Sequence, residues 1–286
     1  MIRNFGWWRR TSEHIQAACF GDSWPAALVS GLWRPSFRVW HERIELRKPL
    51  GTADRLRIGF ASDFHAGPLT PPESIESACR ALAEAGPDLV LLGGDFVSLA
   101  ARHAARLREP LGSITAPLGV FAVLGNHDHW AGAAEVAAVL EQAGIALLTN
   151  RSHRLAPPYH RTLVVGLDDH VSGQPDPGGP EWDHTSATVL LIHQPSGLLD
   201  AGSRPFDLAL AGHTHGGQIQ FPGGFAPVVP QGALSRRYLA GRYGLEGDRH
   251  LLVSVGLGNS GLPVRLGPVP EVVICDLIGE GSSTEP

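Results

Sequence analysis

The chain of 286 residues is poor in cysteine, has no excess of positive charge and lacks a long unbroken apolar run. Its three cysteines, Cys19, Cys79 and Cys275, are far apart and form no CxxC pair. This number and spacing argue against a disulfide framework and favour a reducing compartment. Cys79 falls in a helical pattern and Cys275 in a strand pattern, so we expect both thiols to be small core groups.

The formal net charge of -5 argues against a general nucleic-acid-binding protein, which would normally present a basic surface. The most apolar N-terminal window, residues 15–33, is interrupted by polar residues and by Pro25, so a membrane-spanning helix is not expected. The Arg9-Arg10 pair is followed by polar residues where an export signal would begin its apolar region. We therefore predict a cytoplasmic protein that is not exported.

The first forty residues differ in composition from the rest of the chain. They hold five of the seven tryptophans and five arginines, against two acidic residues. The tryptophans are Trp7, Trp8, Trp24, Trp33 and Trp40. Interleaved tryptophan and arginine side chains are typical of a membrane interface. Two interpretations of this N-terminal arm, residues 1–40, remain open: it binds the inner face of the membrane peripherally, or it packs on the main domain.

The remainder has the pattern of one α/β domain, residues 41–278, with a short flexible tail at 279–286. Residues 41–47 alternate like an edge strand, and three strand–loop–helix units follow, with strands at residues 55–61, 89–92 and 120–124. Their helices are predicted to end near residue 85 and to cover about 99–108 and 133–143. The first should start at a capping box, Thr70-Pro71-Pro72-Glu73, with proline at the first helical position. Such units predict a mostly parallel sheet covered by helices.

The second half of the chain is predicted to form further strands, one of them at residues 218–221, and one short helix near residues 196–201. Residues 222–247 are rich in glycine and are expected to be irregular. Two sheets packed face to face inside helices satisfy the whole pattern. Residues 168–183, rich in glycine and proline, are interpreted as a mobile surface loop.

Five apolar runs of the chain end in aspartate, asparagine or histidine. The residues concerned are Asp63, His65, Asp95, Asn126, His127, Asp128, His193, His213 and His215. Open α/β sheets place their ligands at the carboxyl ends of the strands, so we expect these side chains to converge. Repetition of metal-competent residues at five strand ends indicates a metal site. The neighbouring glycines are expected to allow close backbone approach and positive φ angles.

The ordered motifs Asp63-Phe64-His65, Gly94-Asp95, Gly125-Asn126-His127-Asp128, His193 and Gly212-His213-Thr214-His215 resemble the calcineurin-like metallophosphoesterase superfamily. The extension through Gly216-Gly217-Gln218 is similar to its bacterial membrane-associated phosphodiesterase branch, which includes hydrolases of UDP-diacylglucosamine. The resemblance implies an α/β fold, a four-layer α/β/β/α sandwich with two mixed β-sheets. It also implies a metal-dependent phosphoric ester hydrolase, either a phosphodiesterase or a phosphatase.

The same resemblance implies two divalent metal ions. Asp63, His65, Asp95 and His215 would hold one ion, and Asp95, Asn126, His193 and His213 the other. Asp95 would then bridge the two ions. Imidazole and oxygen ligands without a thiolate favour Mn, Fe or Zn over Ca or Mg.

By the same resemblance His127 is not a ligand but stabilises charge on the phosphate or protonates the leaving oxygen, with Asp128 orienting its other nitrogen. A metal-bound hydroxide would attack the phosphorus in line. His129 is either a substrate contact or a polar residue satisfied within the chain, and we favour the second interpretation. Arg265 and the Arg236-Arg237 pair are candidates for binding the substrate phosphate, with solvent-facing charge as the alternative.

The leading functional hypothesis is hydrolysis of a phosphodiester or pyrophosphate bond at or near the membrane, in a lipid-linked nucleotide such as UDP-diacylglucosamine. One alternative is a soluble phosphatase or nucleotide phosphodiesterase acting on small molecules. Another is a metal-bearing interaction scaffold that has lost catalysis, although the intact His127-Asp128 pair argues against it. The expected partners are a phosphate-ester substrate and, through the arm, a membrane surface.

Overall fold

The computed structural model of the protein describes residues 5–20 and 37–280, with the side chains of the first helix described from residue 11 onward. The strands are β1 Arg38–Glu45, β2 Arg55–Ala61, β3 Leu89–Leu92, β4 Val120–Ala122, β5 Ala146–Leu147, β6 Arg151–Arg154, β7 Thr162–Gly166, β8 Ala187–Leu191, β9 Leu208–Ala211, β10 Gly241–Leu245, β11 Arg249–Val253 and β12 Glu271–Ile278. The α-helices are α1 Phe5–Phe20, α2 Pro72–Glu84, α3 Arg108–Gly112, α4 Asn126–Gln142 and α5 Gly197–Ala201, and two 3₁₀ segments cover Ala101–Leu107 and His215–Gly217. Among the described helices, none has the length and apolarity needed to cross a bilayer.

The strands form two six-stranded mixed sheets. The first has the order β1-β12-β2-β3-β4-β5, and the second has the order β10-β11-β9-β8-β7-β6. In the first sheet β2, β3, β4 and β5 run parallel, and β12 is antiparallel to β2. In the second, β7, β8, β9 and β11 run parallel, with β6 and β10 antiparallel at the edges. The carboxyl ends of the central strands in each sheet therefore share one edge.

The main core lies between the two sheets. Alternate residues of β2, Leu56, Ile58 and Phe60, are fully buried and pack in one cluster with residues of β8 and β9 such as Val189 and Leu210. This arrangement follows from the period of two along a strand, which sends every second side chain to the same face. The residues of the opposite faces pack under helices, which confirms the predicted four-layer α/β/β/α sandwich.

The helices on the outer face of the first sheet bury Cys79, Leu82 and Leu140 against Val90 and Leu92 of β3. The outer face of the second sheet packs with residues of α5 and of the loop before β9.

The two cysteines of the domain are core residues, as predicted. Cys79 packs under α2 and Cys275 lies between the sheets, and both are buried. Burial raises the pKa of each thiol to about 12, so both remain protonated and unreactive at neutral pH.

Two helix starts differ from the sequence prediction. Helix α2 begins with Pro72 at its first position, as predicted, but the predicted capping box is wrong, because its N-cap is Pro71 and no side chain caps it. The hydroxyl of Thr70 instead accepts the N–H of Asn259 at 3.1 Å. Helix α4 was predicted from residue 133 and begins at Asn126, with a break at Gly132, whose φ is 137°.

Three weaker patterns also differ from their prediction. The helix predicted at residues 99–108 is a 3₁₀ segment followed by the short helix α3. The strand predicted at residues 218–221 makes only isolated bridges in the described structure, Ile219 with Leu266 and Phe221 with Phe225. Strand β10 lies in a stretch that was predicted to be irregular.

The described parts of the N-terminal arm are the helix α1 and residues 37–40, which include the start of β1. In α1, Glu13 and Gln16 are buried, and the Glu13 carboxylate forms an ion pair with Arg102 and lies 3.4 Å from Nε2 of His103. Part of the arm therefore packs on the 3₁₀ segment Ala101–Leu107. Trp40 belongs to β1, where its Nε1 donates to Glu42, while the predictions for Trp7, Trp8, Trp24 and Trp33 lie outside the described side chains.

Candidate metal centre

Four predicted ligands meet in a first group at the carboxyl ends of β2, β3 and β9. Nε2 of His65 lies 3.0 Å from Nε2 of His215 and 3.5 Å from Oδ2 of Asp95. Oδ1 of Asp63 is 3.5 Å from Nε2 of His215 and 3.9 Å from Nε2 of His65. Nitrogen and oxygen atoms so close together, on buried side chains, are arranged as the donors of one metal ion would be.

The remaining predicted ligands form a second group around His193. Its Nε2 lies 3.1 Å from Oδ1 of Asn126, 3.2 Å from Nδ1 of His213 and 3.4 Å from Oδ2 of Asp95. The same oxygen of Asp95 is thus within 3.5 Å of an imidazole in each group. The structure brings all seven predicted ligands together and places Asp95 between the two groups.

The backbone at this edge adopts conformations that side chains rarely take. Five of the seven residues have left-handed φ angles between 44° and 70°, namely Asp63, His65, Asp95, His213 and His215. Each such residue costs about 1 kcal/mol or more, and conformations of this kind concentrate at functional sites. The strand ends are therefore bent so that successive side chains point into one space.

Two glycines make room for the ligands. A methyl group on Gly125 would lie 2.2 Å from Oδ1 of Asp95, and one on Gly212 would lie 2.2 Å from Oδ2 of Asp63. Gly94, with a φ of 87°, also takes a conformation favoured by glycine. The expectation that glycines serve close approach and positive φ is confirmed at these positions.

Hydrogen bonds behind the ligands fix their orientation. The hydroxyl of Ser62 donates to Oδ2 of Asp63 at 2.6 Å, and the backbone N–H of His213 donates to both oxygens of that carboxylate. Nδ1 of His193 lies 2.7 Å from the carbonyl oxygen of Gly93, and Nε2 of His213 lies 2.7 Å from the carbonyl oxygen of Gln231. A carbonyl on one ring nitrogen leaves the other free as a ligand.

Burial controls the charge state of most of the imidazoles. It lowers the pKa of His65 and of His215 well below the usual value, with the neighbouring His127 and His65, respectively, as the next contributor. It lowers the pKa of His213 to about 4, helped by His193. These three rings are therefore neutral at pH 7, the state in which histidine binds a metal.

The carboxylates and His193 respond to one another as well as to burial. Burial raises the pKa of Asp63 to about 6. For Asp95 the opposing effect of burial is outweighed by His193 and His127, so its pKa falls well below the usual range. Burial alone would lower the pKa of His193, but the charge and hydrogen bond of Asp95 raise it well above the usual value.

The donor set fits divalent metal ions. It consists of two carboxylates, one side-chain amide and four imidazoles, with no thiolate among the seven side chains. Three of the rings are held neutral by burial, and the lone pairs of His65 and His215 converge. Borderline ions such as Mn, Fe and Zn accept this mixture of donors.

His127 lies at the edge of the ligand groups. Its backbone N–H donates to Oδ1 of Asp95 at 2.8 Å, and its ring is centred 4.7 Å from the ring of His65. Its Nδ1 contacts the carbonyl oxygen of Ser98, so Nδ1 carries a proton and Nε2 is directed elsewhere. The orienting group of this imidazole is therefore a backbone carbonyl.

The prediction that Asp128 orients His127 is wrong in its contacts. Oδ2 of Asp128 accepts the N–H of Gly125 at 2.9 Å, and Oδ1 accepts the N–H of Val97 at 3.1 Å. Asp128 thus caps the start of α4 and ties it to the loop after β3. Burial and then the charge of Asp95 raise its pKa to about 7.

His129 is satisfied within the chain, the interpretation favoured from the sequence. Its Nε2 lies 2.7 Å from Oδ1 of Asp168, which also accepts the N–H of Asp169. Oδ2 of Asp168 accepts the N–H of Gln174 at 2.8 Å. The interpretation of residues 168–183 as a mobile surface loop is therefore wrong for its first turn, because buried carboxylates tie that turn to α4 and to Gln194.

Arg265 lies behind the ligands. Its guanidinium donates to the carbonyl oxygens of Val255 and Gly258, and Nη2 lies 3.0 Å from Nδ1 of His215. Burial lowers its pKa to about 10. These contacts direct its N–H groups into the protein, so the predicted contact with a substrate phosphate does not match its orientation.

Comparison with known proteins agrees with this geometry. Residues 56–217 match the family described as Calcineurin-like phosphoesterase, and this segment contains every candidate ligand. The chain belongs to the calcineurin-like phosphoesterase family.

Several known proteins are similar to this chain. A solved 5'-nucleotidase precursor from Thermus thermophilus aligns at a TM-score of 0.43 with 17% identity, over 71% of this chain and 49% of that one. Phosphodiesterase YaeI of Escherichia coli (strain K12) is 32% identical over 84% of this chain and 89% of its own length. The uncharacterized metallophosphoesterase YkuE of Bacillus subtilis (strain 168) is 30% identical over 78% of this chain and 79% of its own length. By its family and these last two relatives, the protein is a metal-dependent phosphoester hydrolase.

The metal centre of this phosphoesterase opens into a cleft. The cleft contains about 490 Å³ of empty space, part of it open to solvent. Ligand residues form its floor, and its walls include His127, Trp130, Val171, Pro230 and Ser260. The cleft can therefore present a substrate phosphate to the ligand groups and to His127 together.

Several residues of the phosphoesterase site were not predicted from the sequence. Ser98 contacts His127 through its carbonyl oxygen, for which no side-chain pattern exists. Asp168 and Asp169 could have been found, because they follow β7 just as the ligands follow their own strands. Trp130 and Val171 could not be distinguished from ordinary core or surface residues by spacing.

Proposed function

We propose that this phosphoesterase uses two divalent metal ions to hydrolyse a phosphodiester or pyrophosphate bond, in a lipid-linked nucleotide such as UDP-diacylglucosamine. The observation that carries the two-ion proposal is the position of Asp95, whose Oδ2 lies 3.5 Å from His65 and 3.4 Å from His193. One carboxylate oxygen facing both groups is the geometry that a bridging ligand needs. The name of the E. coli relative, a phosphodiesterase, supports the choice of a diester.

The ions would be held by Asp63, His65, Asp95 and His215 on one side and by Asp95, Asn126, His193 and His213 on the other. When bound, they would activate water and neutralise charge on the phosphoester oxygens. The buried ligands exclude other water from beneath the phosphate, since most of the seven side chains are almost fully enclosed.

His127 supplies the proton in this proposal. The carbonyl of Ser98 holds Nδ1, so Nε2 remains to donate a proton to the oxygen that leaves the phosphorus. The hydrogen bond from its backbone N–H to Oδ1 of Asp95 fixes the position of His127 relative to the candidate ligands. Asp128 contributes by holding the start of α4, from which both Asn126 and His127 project.

The test compares the diester bis-p-nitrophenyl phosphate with the monoester p-nitrophenyl phosphate, using metal-stripped protein resupplied with Mn, Zn, Fe or Mg. We expect metal-dependent cleavage of the diester. In the His127→Ala variant, kcat should fall by about 10² to 10⁴-fold with the bound metal unchanged. The exposed His184 provides a matched control, and His184→Ala should behave as the unchanged protein.

A stable metal complex without turnover of either ester or of UDP-diacylglucosamine would contradict the proposal and favour the scaffold alternative. Turnover of the monoester alone would favour a phosphatase. Release of UMP from UDP-diacylglucosamine tests the lipid-linked substrate, and activity on small nucleotide diesters without it would favour the soluble alternative.

A further inference from the structure

A patch of exposed apolar side chains lies beside the cleft. Of the nine large hydrophobic residues that are exposed in the described structure, six lie in two short segments, residues 221–228 and 262–266. We call these six the apolar rim: Phe221, Phe225, Val228, Leu262, Val264 and Leu266, with exposures from 42% to 73%. Single exposed hydrophobics are common on proteins, but a cluster marks an interaction surface.

Hydrogen bonds join the backbone just before the first segment to the second segment. The side-chain amide of Gln218 donates to the carbonyl oxygens of Leu262 at 3.0 Å and Val264 at 3.1 Å, and its Oε1 accepts the N–H of Ser260 at 2.8 Å. The backbones of Ile219 and Leu266 form a bridge as well. The apolar side chains are therefore presented outward on a fixed backbone.

The apolar rim borders the opening of the cleft. Pro230 and Gln231 line the cleft just after the first segment, and Ser260 lines it just before the second. The carbonyl oxygen of Gln231 also lies 2.7 Å from Nε2 of His213. A surface that covered the rim would thus face the substrate entrance.

The charge around the rim is positive although the chain carries a net charge of -5. Residues 212–245, which include the first segment, contain no aspartate or glutamate and carry three arginines, Arg236, Arg237 and Arg242. The guanidinium of Arg236 lies 3.4 Å from the carbonyl oxygens of Ala226 and Pro227, next to the tip of the first segment. Exposed apolar groups flanked by arginine match the composition of an anionic lipid interface.

We propose that the apolar rim docks on the surface of an anionic phospholipid bilayer. Phe221, Phe225 and Val228 enter the boundary between headgroups and acyl chains, and Arg236 with Arg237 meets the anionic headgroups. The cleft then opens toward the headgroup layer, where a lipid-linked phosphoester lies. This inference rests on the proposed function for the identity of the substrate, whereas binding to the bilayer itself does not require hydrolysis.

The test measures cosedimentation of the full chain with vesicles of phosphatidylcholine alone or mixed with phosphatidylglycerol. We expect binding to the mixed vesicles, reduced at least about tenfold in the triple variant Phe221→Ser, Phe225→Ser, Val228→Ser. The pair Leu262→Ser, Val264→Ser should weaken binding through the second segment. Leu199→Ser is the matched control, since Leu199 is 54% exposed on α5, outside the rim, and it should bind as the unchanged chain does.

Arg236→Gln combined with Arg237→Gln should remove most of the preference for the anionic vesicles. Metal content and diester turnover, measured on every variant, show that the site has folded. Absence of vesicle binding by the unchanged chain overturns the inference, as does equal binding by the triple variant, which would assign binding to the N-terminal arm. Vesicle binding without diester turnover would instead contradict the proposed function alone.

Discussion

The peptide of Gly125 passes so close to Asp95 and His193 that it has no room for a side chain. A methyl group there would lie 2.2 Å from Oδ1 of Asp95 and 2.7 Å from Cε1 of His193. We expect Gly125→Ala to displace both ligands, to lower the amount of bound metal and to reduce kcat for the diester at least about 10²-fold. Metal analysis and turnover measured on the same sample check this prediction.

Gly112 is the matched control for this substitution. It ends α3, and a methyl group there would meet no atom closer than 3.8 Å. Gly112→Ala should keep full activity and leave the stability unchanged or slightly higher. Full metal content and turnover in Gly125→Ala would show that the close packing is not needed.

At the scale of residues, the sequence was sufficient to locate the candidate ligands but not the groups behind them. Aspartate and histidine at strand ends give a visible pattern, and all seven predicted ligands converge in the structure. The partner of His127 is a backbone carbonyl of Ser98, which any residue could supply. The direction of the Arg265 side chain depends on acceptors supplied by the backbone, at Val255 and Gly258.

At the scale of elements, the ion pair between His129 of α4 and Asp168 in the loop after β7 should stabilise the protein to an extent that depends on pH. Burial lowers the pKa of His129, but the hydrogen bond and charge of Asp168 outweigh burial and raise it. The pKa of Asp168 is lowered, with burial opposing and His129 the main cause of the decrease. The stabilisation is therefore complete between about pH 4 and pH 6.5, the usual pKa values of the two groups.

Asp168→Asn should destabilise the metal-free protein most in that window. The cost should be about 1 kcal/mol, since the pair is partly buried. As the pH rises through the raised pKa of His129, the imidazole becomes neutral, and the difference in unfolding free energy between the two proteins should shrink. Urea unfolding from about pH 5.5 to pH 9 measures this difference.

Asp276→Asn is the control for the pH series. Asp276 pairs with Arg57, whose charge persists over the whole range, so the cost of this substitution should not vary with pH. A cost of Asp168→Asn that stays constant from about pH 6 to pH 9 would show that the charge of His129 contributes nothing to the ion pair with Asp168.

At the scale of elements, the sequence indicated the central strands better than the helix ends or the edges. Continuous apolar runs such as Leu89–Leu92 identify a buried strand without ambiguity. The first turn of α4 consists of four polar residues, Asn126 to His129. It therefore lacks the apolar residues at every third or fourth position that mark a helix. Among the described strands, β10 pairs only with β11, at an edge, and it is half-exposed, so its sequence lacks the continuous apolar run that identifies a buried strand.

At the scale of the whole molecule, metal ions should contribute to the stability of the fold. The seven candidate ligands come from loops of both sheets, so a bound ion links the two layers. Excess Mn or Zn should raise the melting temperature of the metal-stripped protein by about 5–10 °C, since ions bind the folded state preferentially. Differential scanning calorimetry checks this shift.

Asp95→Asn should show less than about half of that shift, because it removes the carboxylate that faces both groups. Asp276→Asn should respond to metal as the unchanged protein does. A melting temperature that did not change with Mn, Zn or Fe would contradict a stable metal centre in this structure.

The position of β12 has a consequence for synthesis of the chain on the ribosome. β12 lies between β1 and β2, where it pairs with Arg38–Glu45 on one side and Arg55–Ala61 on the other. A nascent polypeptide that has reached residue 270 already contains every candidate ligand. Its strands β1 and β2 are not yet joined, because β12, which pairs with both, is still missing. The first sheet is therefore completed only after β12 has been synthesised, and a premature stop before residue 271 would leave two open strand edges for chaperones or for aggregation.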